Sequence, residues 1–255
     1  MVDASFDRVK LGDVVIVGGG CYGTFYAGQL ARACERGKAS YRRLLIVDYD
    51  PDCRFAREIG PAPDRQLVTE DWSAFFDRYL AESSPLAEAP DAIVPSPLMP
   101  HLMYQWLLRR ASARWPGRPV ESRPVPAGPG TPYDVLAPDG TRYVSYADWL
   151  CPTHCIEPAI CPITRGPRTW EMSEALQRMV SRLSANRPTV GPVLLVCRHR
   201  VFGVGMFDVA EVLASDAQVA EAGAAHESVD ILVGTVSSCH GATSLLHLGP
   251  VSRQG

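Results

Sequence analysis

Residues 13–35 constrain what this chain can fold into more than any other segment. Asp13-Val14-Val15-Ile16-Val17 becomes a continuous apolar run after its first residue, and it stops at Gly18-Gly19-Gly20. A run that short, ended by glycines, reads as a strand buried on both faces, the kind found in parallel sheets. Thr24 to Glu35 then places Phe25, Ala27, Leu30, Ala31 and Cys34 close to helical spacing. Strand, glycine turn and helix in that order predict a β-turn-α unit. Leu44 to Val47 repeats the buried-strand pattern and ends in Asp48. Gln66 to Thr69 is a weaker third strand, and Ala92-Ile93-Val94 is a fourth, stopped by Pro95-Ser96-Pro97. Trp72 to Leu80 and His101 to Ala113 read as helices.

Gly18-Gly19-Gly20-Cys21-Tyr22-Gly23 fits G-x-G-x-x-G, and here it follows a predicted strand and opens a predicted helix. Gly18 suits a tight turn, Gly20 lets backbone approach a ligand, and Gly23 allows close packing of helix on strand. The helix N-terminus offers N–H groups and the positive end of a dipole to an anion. Asp48, 25 residues beyond Gly23, can accept hydrogen bonds from ribose hydroxyls and repels a 2′-phosphate. Residues 13 to 50 thus resemble the dinucleotide-binding fingerprint of NAD- and FAD-dependent enzymes. The resemblance implies a cofactor site at Gly18, Gly20, Cys21, Tyr22, Gly23 and Asp48, with Ser96 in the loop after the fourth strand. NAD is preferred to NADP because Asp48 is followed by Tyr49 rather than Arg. FAD is disfavoured because a second flavin motif is not found. Similar glycine turns also serve S-adenosylmethionine in methyltransferases and ATP in ubiquitin-activating-like enzymes.

The pattern changes at about Trp115, where a proline- and glycine-rich connector begins. Tyr133 to Leu136 and Arg142 to Tyr146 flank Pro138-Asp139-Gly140 and predict a β-hairpin. A cysteine-rich loop follows, then a helix from about Ser173 to Leu183. Val193 to Val196 and Asp230 to Val236 read as further buried strands, separated by helical pieces at Asp208 to Ala214 and Ala217 to Ala225. The expected fold is α/β: a doubly wound, mainly parallel Rossmann-like sheet, with the hairpin and cysteine loop inserted between the fourth and fifth strands. Residues 1–116 would form its dinucleotide-binding half, 117–172 the insertion, and 173–255 a second α/β half completing the sheet. Two separate domains are the other arrangement the pattern allows.

Cys151, Cys155 and Cys161 stand three in eleven residues of a proline-stiffened loop, with His154 beside Cys155. Such thiolates could converge on an iron–sulfur cluster or a zinc ion, although the spacing matches neither a ferredoxin run nor a zinc ribbon. Redox-active thiols and plain packing are the alternatives. If all strands shared one sheet, Cys197, His199, Cys239 and His240 would lie on the same edge as the glycine turn and Ser96. His240 is the candidate proton carrier, with Cys239 beside it. Arg165 and Arg168 are candidates to hold an anionic substrate.

The chain has 255 residues, 46% hydrophobic and 21% charged, with a formal charge of −3. These values suit a globular protein and give no electrostatic reason to expect nucleic acid or an anionic membrane as partner. No secretory h-region or transmembrane run is read, so a cytoplasmic protein is expected, and its eight cysteines are not expected to form a disulfide framework. The functional expectation is an NAD-dependent oxidoreductase with a cysteine-ligated metal near the cofactor. A sensor or accessory subunit with a redox partner protein, or a biosynthetic enzyme using S-adenosylmethionine or ATP, are the alternatives.

Overall fold

The computed structural model describes residues 8–83, 89–152, 155–185 and 187–251. In chain order the elements are β1 (Val9–Lys10), β2 (Asp13–Val17), α1 (Cys21–Glu35), β3 (Ala39–Ser40), β4 (Arg43–Asp48), α2 (Arg54–Glu58), β5 (Arg65–Thr69), α3 (Trp72–Glu82), β6 (Ala92–Val94) and α4 (Leu102–Arg114). Then come β7 (Val120–Arg123), β8 (Tyr133–Leu136), β9 (Arg142–Ser145), α5 (Met172–Leu183), β10 (Thr189–Val196), β11 (Arg198–Val201), β12 (Val204–Asp208), α6 (Val209–Ala225), β13 (Val229–Val236) and β14 (His240–Leu248). None of these helices is long and apolar enough to cross a membrane. The chain is α/β and divides into two compact units. The first comprises the described residues within Met1–Met99, Thr153–Ile156 and Arg198–Ala210; the second holds the remainder.

The first unit is built on a six-stranded sheet of order β11-β12-β6-β2-β4-β5. The four strands from β6 to β5 are parallel, with Val14 to Val17 in register with Leu44 to Val47. β2 is buried at every residue, as its unbroken apolar run requires. Val14, Ile16, Leu44 and Ile46 share a core with Ala27, Leu30 and Ala33 of α1. Each such large aliphatic side chain contributes about 1.5–3 kcal/mol by leaving water. Numbered by their appearance in the chain, the parallel strands run 3-2-1-4. The far edge of β6 is closed by the antiparallel β12, which pairs Phe207 with Ile93 and Asp208 with Ala92. Phe202 and Gly203, both at positive φ, turn β11 into β12.

The second unit is a separate six-stranded sheet. Its order is β10-β13-β14-β9-β8, and β7 also pairs with β14. Only β10 and β13 run parallel; the other pairings are antiparallel. α5 covers one face, where Met172, Leu176 and Met179 pack with Leu232, Val236 and Leu245. Arg118 donates to the carbonyls of Gly223, His226 and Glu227 at the C-terminal end of α6, where a cation meets the negative end of the helix dipole.

These sheets correct the expectation of one continuous sheet completed by residues 173–255. The strands at Val193 to Val196 and Asp230 to Val236 do form and do run parallel, but to each other. β13 pairs along its whole length with β14, and β12 already occupies the β6 edge they would have needed. The hairpin at Tyr133 to Ser145 forms as expected. Gly140 sits at φ 86°, and the Asp139 carboxylate accepts from the Thr141 N–H at 2.9 Å. It joins β14 rather than standing as an insertion. The two expected helical pieces are one helix, α6, and Asp208 belongs to β12.

Candidate functional site

In the first unit the glycine turn, Asp48 and the loop after β6 line one cavity of about 510 Å³. Gly18, at φ 85°, closes the turn and donates its N–H to Val47 O at 2.8 Å. Gly23 is pressed against the same turn, where a Cβ would run into the Gly18 carbonyl oxygen. Gly20 precedes the first residue of α1, no side chain caps the helix there, and a Cβ on Gly20 would meet nothing within 4 Å. The hydroxyl of Thr24 folds back onto the Gly20 carbonyl at 2.7 Å. The first turn of α1 contains no acidic residue, so its positive end faces no carboxylate of its own. The residues that line this cavity therefore fit an anion carried on a small organic ligand.

Asp48 ends β4 and is 8% exposed. Its Oδ2 accepts from the Gly19 N–H at 2.6 Å and its Oδ1 from the Asp50 N–H at 2.9 Å. Each oxygen keeps a second lone pair. Ser96 lines the same cavity and shapes its loop, accepting from the N–H of Leu98 at its hydroxyl and of Met99 at its carbonyl. Cys21 and Tyr22 complete the expected set. All seven cofactor-binding residues nominated from the sequence thus line one wall or another of a single cavity.

Several lining residues carry no signal in the sequence. Trp72 donates from Nε1 to Val47 O at 2.8 Å and meets Tyr49 edge-on, with centroids 6.3 Å apart. Tyr49 is 72% exposed. Cys53, Arg54 and Arg57 come from α2 and the residue before it, and a five-residue helix leaves too little periodicity to read. Gly19 also has a role that the motif does not assign. The Cys53 sulfur fills the space its side chain would need, and its carbonyl accepts from the Phe55 N–H at 2.8 Å.

The other nominated residues lie elsewhere. Cys197, Cys239 and His240 belong to the second unit, so the expected alignment of these residues with the glycine turn on one sheet edge is not formed. His199 lies on β11, at the antiparallel edge of the first sheet. His240 is exposed, pairs across strands with Ser145, and holds its Nδ1 2.9 Å from the Ser145 hydroxyl. Cys239 is buried, and its sulfur accepts from Trp170 Nε1 at 3.2 Å. Burial pushes this thiol up to about 12. It stays protonated near neutral pH, which does not suit a nucleophile. Glu157, for which the sequence carries no motif, sits at φ 50°. Its carboxylate accepts from the Ser237 hydroxyl (2.6 Å), the Ser238 N–H (2.9 Å) and the Cys239 N–H (3.2 Å).

Arg168 donates to Trp170 O at 3.1 Å and pairs with Glu171 at 3.0 Å. Its Nε is buried with no partner among the described residues. Arg165, at φ 58°, is exposed in the turn that begins at Cys161. Cys161 itself is buried. Its thiol is lowered from the ordinary value, first by the Thr164 backbone N–H and then by the Thr164 hydroxyl. Cys151 and Cys161 fall in the second unit and Cys155 in the first; His154 lies outside the described residues. Among the described residues no three His, Cys, Asp or Glu side chains come together as a metal site.

No curated protein and no solved structure matches this chain. Residues 103–249, more than half of its length and most of the second unit, do match a family, AF_1314_C, described as the C-terminal domain of an uncharacterized protein. The chain belongs to that AF_1314_C family.

Proposed function

We propose that the first unit binds a dinucleotide, NAD in preference to NADP, and that the protein is of the NAD-dependent oxidoreductase class. One observation carries this reading: Gly18, Gly20, Gly23, Asp48 and Ser96 line a single cavity at the N-terminus of α1. The parallel strand order 3-2-1-4 supports it. That order matches half of a doubly wound dinucleotide-binding sheet, and its switch point lies between β2 and β6, whose C-terminal ends carry Gly18 and Ser96. Bound NAD would supply hydride transfer. The chain's own residues would do the holding. Gly20 leaves room for a diphosphate against the helix N-terminus, and the remaining lone pairs of Asp48 accept from ribose hydroxyls. Tyr49 and Trp72 offer aromatic surface to an adenine.

Titration of the purified protein with NADH and NADPH, followed by nucleotide fluorescence and calorimetry, tests the reading. Micromolar binding of NADH, weaker binding of NADPH, and loss of both on Gly20→Val are expected. Absence of NADH binding at millimolar concentration would refute it.

A further inference from the structure

α2 is fastened to the glycine turn. Phe55 is fully buried, its N–H is bonded to Gly19 O, and Cys53 packs where a Gly19 side chain would stand. This fastening fixes the flanking Arg54 relative to the turn, and both Arg54 and Arg57 line the cavity. The Arg54 side chain is 48% exposed and pairs with Glu58 through Nε alone, at 2.7 Å. Arg57 donates from Nη1 to Asp52 O. The two carboxylates of the cavity wall face their own backbone. Asp48 takes the Gly19 and Asp50 N–H groups, and Asp50 takes the Asp52 N–H at 2.9 Å. Among the cavity's charged groups, the arginines alone carry the positive charge that phosphates require; the lone pairs left on Asp48 suit hydroxyl donors instead.

We infer that Arg54, with Arg57 beside it, is the side-chain half of a diphosphate-binding site whose backbone half is the glycine turn. The inference rests on the dinucleotide reading above and adds to it. Guanidinium donors match phosphate oxygens in geometry and charge, and with the α2 backbone already docked on the turn only the side chains themselves need ordering on binding. The site would therefore favour ligands carrying two linked phosphates, such as ADP, ADP-ribose and NADH.

The test is calorimetry of ADP and NADH on the wild type, Arg54→Gln, Arg54→Lys and Arg57→Gln at two salt concentrations, with a thermal midpoint for each protein. Arg54→Gln should weaken ADP and NADH about tenfold, the loss of one charge-assisted contact. It should flatten the salt dependence and leave the midpoint unchanged; Arg54→Lys should recover part of the affinity, and Arg57→Gln should show a smaller loss. If wild type binds ADP and NADH and Arg54→Gln binds them within twofold of it, the arginine assignment is wrong and the dinucleotide reading stands. A loss of affinity with a lowered midpoint that Arg54→Lys does not restore also overturns the assignment, because it marks a structural role. If wild type binds neither ligand, both readings fall.

Discussion

Gly20 and Gly23 are three residues apart in one turn, yet adding the same methyl group to each should produce opposite phenotypes. Gly20 has φ −74° and ψ −155°, a backbone conformation open to alanine, and a Cβ there meets nothing within 4 Å. The stability cost of Gly20→Ala is then only that of a poorer N-cap residue, a few tenths to about 1 kcal/mol. The methyl, however, stands where a ligand's phosphates would approach the backbone, so NADH affinity should fall at least tenfold. Gly23→Ala places its methyl into the Gly18 carbonyl oxygen. A backbone atom held by the turn cannot swing aside as a side-chain tip can. Overpacking costs about 1–3 kcal/mol, and a clash this close with backbone puts Gly23→Ala at the upper end, about 2–3 kcal/mol, against which alanine returns about 1 kcal/mol of helix propensity. The net loss should be about 1–2 kcal/mol, or a fall of roughly 2–4 °C in melting temperature per kcal/mol. Thermal denaturation followed by circular dichroism, paired with NADH titration of each variant, separates the two effects. A Gly20→Ala variant that binds NADH like wild type, or a Gly23→Ala variant that melts like wild type, would refute the argument.

Further outcomes are expected in the second unit. His101 is fully buried, stacked on Tyr104 with its Nδ1 3.0 Å from the Thr235 hydroxyl, and burial holds its pKa down to about 3. The native state thus resists a proton that the unfolded chain accepts below about 6.5. The stability from neutral His101 is intact above that pH and is lost as pH falls toward 3, by up to about 1.4 kcal/mol per unit. Urea midpoints for wild type and His101→Phe at pH 7 and pH 4.5 should show a smaller acid shift in the variant. Cys239, raised from 9.0 to about 12, contributes stability below pH 9 that fades as pH rises from 9 toward 12. Mass spectrometry after iodoacetamide at pH 8 should find exposed Cys21 labelled well before Cys239; equal labelling would contradict the burial argument. Glu157→Ala leaves three donors without their acceptor and should cost about 1.5–3 kcal/mol in chemical denaturation, with Glu157→Gln intermediate.

The parts of the fold legible in the sequence are those fixed by neighbours along the chain. Strand β2, its glycine turn and α1 follow from an apolar run, the glycines and helical spacing within 23 residues (13 to 35). The β8–β9 hairpin follows from Pro138-Asp139-Gly140. The cavity at the glycine turn is legible for the same reason, since most of its nominated walls are loops at the ends of readable strands. Pairing between distant strands is not. Val193 to Val196 and Asp230 to Val236 announce burial on both faces, but no periodicity says which strand lies alongside. β14 escapes notice because Ser237-Ser238-Cys239-His240 reads as a polar loop, which masks the strand that starts within it. β7 is hidden in a proline-rich connector, and α2, with its two arginines, is too short to leave a pattern.

The antiparallel closure of the first sheet has a consequence for how the protein is made. β6 ends at Val94, but the strand that covers its edge begins at Val204, 110 residues later. A ribosome adding about 5–20 residues per second would leave that edge uncovered for roughly 5–20 seconds after β6 emerges. An open strand edge is a template for pairing with other chains. The nascent first unit is therefore most exposed to misassociation while the bulk of the second unit is still being translated. Its last two strands arrive only when that second sheet already has β10 and still lacks β13 and β14.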